Sequence, residues 1–206
     1  KKMVKLKSSD ALWKLLKDVD TPTVCNAIEV AQGRRGFNKF TKGTMLSSDP
    51  NFGSFVGYAR TAKISGISKS AESAETIREL RMKYFHHMAS GIEPKIAVVE
   101  DIDFPNSISA WWGEVHTAVH KGLGLAGAVT NGVMRDLNAL EPGFPVIGGS
   151  IGPSHAFVRV TDFATKVNIF DLEIENGDLV HADRHGALVI PNEVIPELED
   201  SINKLI

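Results

Sequence analysis

Trp111 to Asp136, WWGEVHTAVHKGLGLAGAVTNGVMRD, is the stretch from which the architecture can be read. Val115 to Lys121 carries helical spacing, the Gly-Leu-Gly at 122–124 breaks it, and Leu125 to Thr130 is a short apolar strand. Asn131-Gly132 then turns the chain toward Arg135-Asp136, where another short helical turn is predicted to start. A helix returning through a short turn into a buried strand is a building block of layered α/β proteins. The unit opens on Gly113-Glu114 and closes on Arg135-Asp136. A fold that joins its ends gathers two carboxylates and a guanidinium at one point.

Upstream, Ser8 to Val19 places Leu12, Leu15, Leu16 and Val19 on one helical stripe, with Ser9 or Asp10 as cap. A second helix follows, with Thr21 as N-cap, Pro22 at its first position and Gly33 at its end. Arg34 to Asn51 reads as irregular connection, and Gly53 to Ile67 alternates as a strand. Glu72 to Ala89 is the longest helical pattern, striped by Ile77, Leu80, Tyr84 and Met88 and closed by Gly91. After Pro94, IAVVE is a continuous apolar run of the buried-strand kind.

Downstream, FPVIGG and HAFVRV read as strands. VNIFDLEIENGDLVHADRHGALVIP is all strand and turn, with turn signals at Asn176-Gly177-Asp178 and Arg184-His185-Gly186, and Pro191 to Leu205 is a final helix. Helices and strands alternate through the middle and strands cluster at the end. That pattern predicts an α/β layered sandwich with a partly antiparallel sheet. One domain over residues 1–206 is expected, with a helical arm at about 8–33.

The chain is 43% hydrophobic and 23% charged, ordinary values for a globular protein with a sizeable core. A net charge of -2 gives no electrostatic footprint for nucleic acid. No run approaches the ~20 apolar residues of a membrane span, and KKMVKLKSSD lacks the apolar stretch of a secretory signal. The single cysteine, Cys25, precludes an internal disulfide, so a reducing, cytoplasmic setting is expected.

Gly113 precedes a helix whose first backbone N–H groups have no internal partner, so a carboxylate or phosphate is favoured there. Arg135 can hold a carboxylate as a fork or stabilise an enolate. Asp136 is a hard oxygen ligand suited to Mg²⁺, and Glu114 can carry protons. Adjacent Arg-Asp pairs are also common as solvated surface charges, so spacing alone leaves both readings open.

Other chemistry-bearing residues have simpler explanations. His116 and His120 share a helix face but lack the glutamate of a zinc-protease motif; His116 is expected to border the site. His181, Asp183 and His185 alternate toward one side of a strand, where a metal site is a minor alternative to a turn. His86-His87 ends a helix, where cations favour the dipole. Cys25 reads as a buried structural thiol, Trp111 and Trp112 as core or interface anchors. Arg34-Arg35 is a solvated loop pair within reach of a neighbouring subunit or a dicarboxylate.

Gly113-Glu114, twenty intervening residues and Arg135-Asp136 together resemble the class II pyruvate aldolases of the 4-hydroxy-4-methyl-2-oxoglutarate / 4-carboxy-4-hydroxy-2-oxoadipate aldolase family. That superfamily also holds the regulators of ribonuclease activity A. TPTVCNAIE, FPVIGGSIGP and GDLVHADRHGALVIP fall in the family's order, so the likeness spans nearly the whole chain. The resemblance implies a compact αββα sandwich of the swivelling β/β/α type, assembled as a homotrimer or hexamer with sites between subunits. It implies Mg²⁺ or Mn²⁺ on Asp136, with Arg135 against the pyruvate enolate. Gly113 with the backbone of Val115 and His116 would cradle the pyruvate carboxylate, and Glu114 would orient metal-bound water for proton transfer. The expected activity is cleavage of 4-hydroxy-2-oxo acids to pyruvate, with oxaloacetate decarboxylation beside it; the alternative is a non-catalytic regulator. Three positions depart from the family pattern: Glu114 replaces the usual Asp, Ala139 a frequent acid, and Asn131 the Asp of an Asp-Gly turn.

Overall fold

The computed structural model describes residues 10–206. Its helices are α1 (Asp10–Asp18), α2 (Thr21–Gln32), α3 (Ala74–Ala89), α4 (Glu114–Gly122) and α5 (Ile195–Asn203). The strands are β1 (Leu46–Ser47), β2 (Phe55–Ser65), β3 (Lys95–Asp101), β4 (Ala110–Trp112), β5 (Leu125–Thr130), β6 (Val133–Met134) and β7 (Val146–Gly148). They continue as β8 (Ser150–Ile151), β9 (Arg159–Phe163), β10 (Val167–Ile169), β11 (Leu172–Ile174), β12 (Leu179–Asp183) and β13 (Gly186–Val189).

The main sheet runs β1-β7-β5-β3-β2-β12-β13, and β9 also pairs with β2. β2, β3, β5 and β7 are parallel neighbours; β1, β9, β12 and β13 join antiparallel. This is the mixed α/β fold expected. The eleven-residue β2 holds the sheet together, pairing β12 along Phe55 to Tyr58 and β9 along Ala62 to Ser65.

β3 shows why an unbroken apolar run is needed. Ile96 and Val98 enter a core closed by the β10–β11 hairpin, whereas Ala97 and Val99 enter a second core with Tyr84 and Met88 of α3. Both faces are dry, so both registers of the strand must be apolar. A third core joins Leu12, Leu16, Val24, Ile28, Leu198 and Ile202, from α1, α2 and α5, to Val56, Leu179 and Leu188 of the sheet.

Several helix boundaries are corrected. Asp20, not Thr21, caps α2: its Oδ1 accepts from Thr23 N at 2.9 Å. Thr21 instead gives both N–H and hydroxyl to Asp183. Gly33 closes α2 in the left-handed conformation, as expected of a C-terminal glycine. Ser90, rather than Gly91, is the C-cap of α3. Asp10 opens α1, and Ser9 lies outside the described residues. No helix begins at Arg135: Val133–Met134 forms β6, paired in parallel with β4 and β8. Among the described residues no helix is long and apolar enough to cross a membrane.

Candidate active site

The parallel pair β4–β6 brings the two ends of the Trp111–Asp136 unit together. Trp112 lies opposite Met134, and Arg135 N donates to Trp112 O at 2.9 Å. Gly113 and Arg135 therefore leave neighbouring strands at their carboxyl ends, where open parallel sheets bind ligands.

Gly113 is fully extended (φ -153°), so no left-handed conformation demands it. Space demands it: a Cβ there would meet Asp136 Oδ2 at 2.6 Å. The glycine makes room for the aspartate carboxylate. Asp136 Oδ2 accepts from Glu114 N at 3.1 Å, capping α4, which has no side-chain cap of its own. Asp136 itself sits at φ 57°, a region that non-glycine residues occupy at a cost. Its side chain is 35% exposed, and Arg135 Nε lies 3.6 Å from Oδ2, too far for a hydrogen bond.

Gly113, Glu114, Val115, His116, Arg135 and Asp136 line one cleft of about 570 Å³. The N–H groups of Val115 and His116 belong to the first turn of α4, where no internal acceptor exists. The Glu114 carboxylate makes no hydrogen bond or ion pair among the described residues, and the residue is exposed.

His116 packs against Trp111 at 4.1 Å between centroids with the rings tilted by 58°, and its buried Nδ1 has no hydrogen-bond partner. Burial, reinforced by the charges of Arg81 and Arg135, lowers its pKa to about 4, so the ring is neutral near pH 7. His120, fully buried, donates from Nδ1 to His116 O and accepts at Nε2 from the Tyr84 hydroxyl, each at 2.6 Å. It is structural, as expected, and burial lowers its pKa to about 3. Trp111 and Trp112 are both buried, and Trp111 also walls the cleft.

Other sequence candidates lie elsewhere. Cys25 is half-buried, and burial raises its thiol to about 11. His181 bonds to Leu16 O, and Asp183 to Thr21 and His185, so the strand serves α1 and α2. His87 is not a cation favouring the helix dipole: burial and Arg60 lower its pKa to about 4. Arg34 and Arg35 are exposed and outside the cleft, as is Ala139.

Asn131 also differs from expectation. Neither it nor Gly132 is left-handed. Asn131 Oδ1 accepts from Asp101 N at 2.7 Å, while Nδ2 donates to Asp101 O at 3.2 Å. An aspartate cannot make both bonds, because a carboxylate only accepts. The cleft further recruits Lys69, Glu72, Arg81, His155, Phe157 and Arg159, none marked by a local motif.

Among the described residues no group of three or more His, Cys, Asp or Glu could hold a metal. A closed four-ligand zinc site does not fit. One hard, half-exposed carboxylate, admitted to the cleft by a glycine, does fit Mg²⁺ or Mn²⁺, since Mg²⁺ commonly keeps several waters.

The model of the RraA-like family, described as Aldolase/RraA, matches residues 21–189. Protein DlpA of Legionella pneumophila is 31% identical over 137 residues, 63% of this chain and 21% of DlpA. The chain thus spans about a fifth of that relative's length. A solved structure described among novel cellulases from microbes associated with the gut ecosystem has TM-score 0.79 at 23% identity, covering 99% of this chain and 88% of its own. RraAS2 of Streptomyces coelicolor, an unusual member of the RNase ES inhibitor RraA protein family, has TM-score 0.70 at 22% identity, covering 96% and 92%. At these identities the two structures establish the fold alone.

Proposed function

The chain belongs to the RraA-like (Aldolase/RraA) family, and from that premise we propose that it is a divalent-metal-dependent carbon–carbon lyase acting on 2-oxo acids. The observation that carries the reading is the meeting of Glu114, Arg135 and Asp136 at the open first turn of α4, in a cleft large enough for a small ligand.

The substrate carboxylate binds at the N–H groups of Val115 and His116, aided by the helix dipole. Arg135 lies beside them and faces the 2-oxo oxygen. Cleavage of the bond between C3 and C4 of a 4-hydroxy-2-oxo acid leaves its electron pair on the pyruvate half as an enolate. Arg135 stabilises that negative charge. Glu114 accepts the proton of the 4-hydroxyl and returns one to C3, leaving pyruvate and an aldehyde or 2-oxo acid. Oxaloacetate decarboxylation forms the same enolate with loss of carbon dioxide, so both reactions belong to one site. Asp136 would hold Mg²⁺ or Mn²⁺, which supplies Lewis-acid stabilisation of charge at the substrate oxygens when bound.

The exposed Val115 and Phe157 at the rim suit a second copy of the chain, consistent with a homotrimer or hexamer. A second reading rests on the likeness to RraAS2: a non-catalytic regulator that docks onto a protein partner.

The test is pyruvate release from oxaloacetate and from 4-hydroxy-2-oxoglutarate with Mg²⁺ or EDTA. Wild type should release pyruvate only with metal, and Arg135→Ala should lower kcat/KM about 10²–10³-fold. Release above the protein-free rate without metal refutes the metal dependence; full activity in Arg135→Ala, or no release above that rate, refutes the lyase. The last result, with a stoichiometric protein partner, supports the regulator.

A further inference from the structure

Part of the cleft lining takes no role in the reaction above: Lys69 and Glu72 before α3, Arg81 on α3, and the segment from His155 to Arg159. Arg159 is the first residue of β9, opposite Ser65 of β2, and its side chain is only 17% exposed. A guanidinium so placed should have its five donors engaged. Here Nη1 donates to Ser68 O at 3.3 Å and Nε is buried with no hydrogen-bond partner. Glu72 Oε2 stands 3.8 Å from Nε, an ion pair by distance but not a hydrogen bond.

Glu72 is 52% exposed and also engaged by Ser70 Oγ, so little holds it against Arg159. Asp103 feels the Arg159 charge, but its oxygens already accept from Gly66 N, Ile67 N and Ser65 Oγ. Ala156, in the same wall, is held at φ 43°, a strained conformation of the kind that clusters at ligand sites. The cleft lining carries Lys69, Arg81, Arg135 and Arg159 against Glu72, Glu114 and Asp136, one cation in excess before any metal binds.

We propose that Arg159 is the specificity-determining residue of this cleft, receiving a second carboxylate on the substrate half distal to the one bound at α4, in place of Glu72. The inference rests on the 2-oxo acid reading for where the first carboxylate lies. Arg159 is suited to the role because its planar fork matches a carboxylate and its backbone is fixed in the sheet. Lys69 has no such fork, and Arg81 carries one on an exposed residue of α3, so both add attraction without a fixed geometry.

The experiment compares substrates that differ only at the distal end: 4-hydroxy-2-oxoglutarate, with a carboxylate there, and 4-hydroxy-2-oxopentanoate, with a methyl. Each is assayed with Mg²⁺ in wild type, Arg159→Gln, Arg159→Lys and Glu72→Gln. In parallel, calorimetry follows binding of 2-oxoglutarate and 2-oxopentanoate, which lack the 4-hydroxyl and are not cleaved. Wild type should favour the dicarboxylate about 10–100-fold, mostly through KM. That ratio should approach one in Arg159→Gln, fall part-way in Arg159→Lys, and persist or rise in Glu72→Gln.

A wild type without preference, or a preference that survives in Arg159→Gln, overturns the inference and leaves the lyase standing. If no substrate is cleaved but 2-oxoglutarate binds in preference through Arg159, the lyase reading falls and this one stands. Should Arg159→Gln fail to fold by circular dichroism, Arg159→Lys decides, since an unchanged ratio there contradicts a fork-specific contact.

Discussion

Asp136 and Asp183 each receive the first backbone N–H of a helix, and they end in opposite roles. Asp183 takes Thr21 N at 2.8 Å and Thr21 Oγ1 at 2.7 Å, then His185 N and Nδ1 at 2.8 and 3.0 Å. Its side chain is 4% exposed, so these bonds use its acceptor capacity where water cannot compete. Asp136 takes Glu114 N alone, at 3.1 Å, lies on the cleft and carries a left-handed backbone. One carboxylate is consumed in joining α2 to β12. The other is held in place by a single bond, with capacity left for a ligand. Saturation separates a structural acid from a candidate catalytic one more surely than the residue type or its position before a helix.

Removing the saturated carboxylate should cost the most stability. Asp183→Ala leaves Thr21 N and Oγ1 without their buried acceptor, and urea unfolding should show a loss of about 3 kcal/mol. Metal-dependent pyruvate release, measured where the variant is still folded, should persist. A loss under 1 kcal/mol would place Asp183 with the surface acids and break the contrast.

Next is a pH effect from buried histidines. His87 and His116 titrate at about 4 and His120 at about 3 in the folded chain, each lowered mainly by burial. Below the ordinary histidine value near 6.5 the unfolded chain binds protons that the folded chain refuses, so stability falls as pH drops from about 6.5 toward 4. Asp101, raised by burial, acts the other way and offsets part of the loss. Each ring should contribute about 1.5–2 kcal/mol to the loss between pH 7 and pH 5, read from thermal melts at the two pH values. A flat profile would contradict neutral, buried rings.

Gly113→Ala sharpens the contrast from the other side. The new methyl displaces Asp136 Oδ2, which can move toward solvent but gives up its bond to Glu114 N, so stability should fall by about 1 kcal/mol. Activity should fall about tenfold, because displacing a positioned group by about an ångström is costly in a reaction site. The reverse pattern, stable activity with lost stability, would make Gly113 a folding glycine.

Much of the fold was legible because its signals are local. The apolar runs of β3 and β5, the stripe on α3 and the turns near Asn176 and His185 all lie where periodicity and turn residues put them. The failures arise where distant chain decides. A helix was expected at Arg135, but pairing with β4 and β8 draws Val133–Met134 into a strand. His87 looked like a helix-end cation, but Arg60 and β2 surround it. Asn131 looked like turn chemistry, but it reaches thirty residues back to Asp101. Of the cleft, the half built by Trp111–Asp136 could be read as one unit. The half carrying Lys69, Arg81 and Arg159 comes from three segments, and nothing in any one of them marks it.

Mn²⁺ binding by Asp136→Asn and Asp183→Asn, followed by electron paramagnetic resonance at a temperature where both are folded, tests the distinction between the two acids most directly. Wild type and Asp183→Asn should bind alike, and Asp136→Asn should lose binding by at least tenfold, as loss of the charged oxygen ligand requires. Equal binding by Asp136→Asn and wild type would contradict the account.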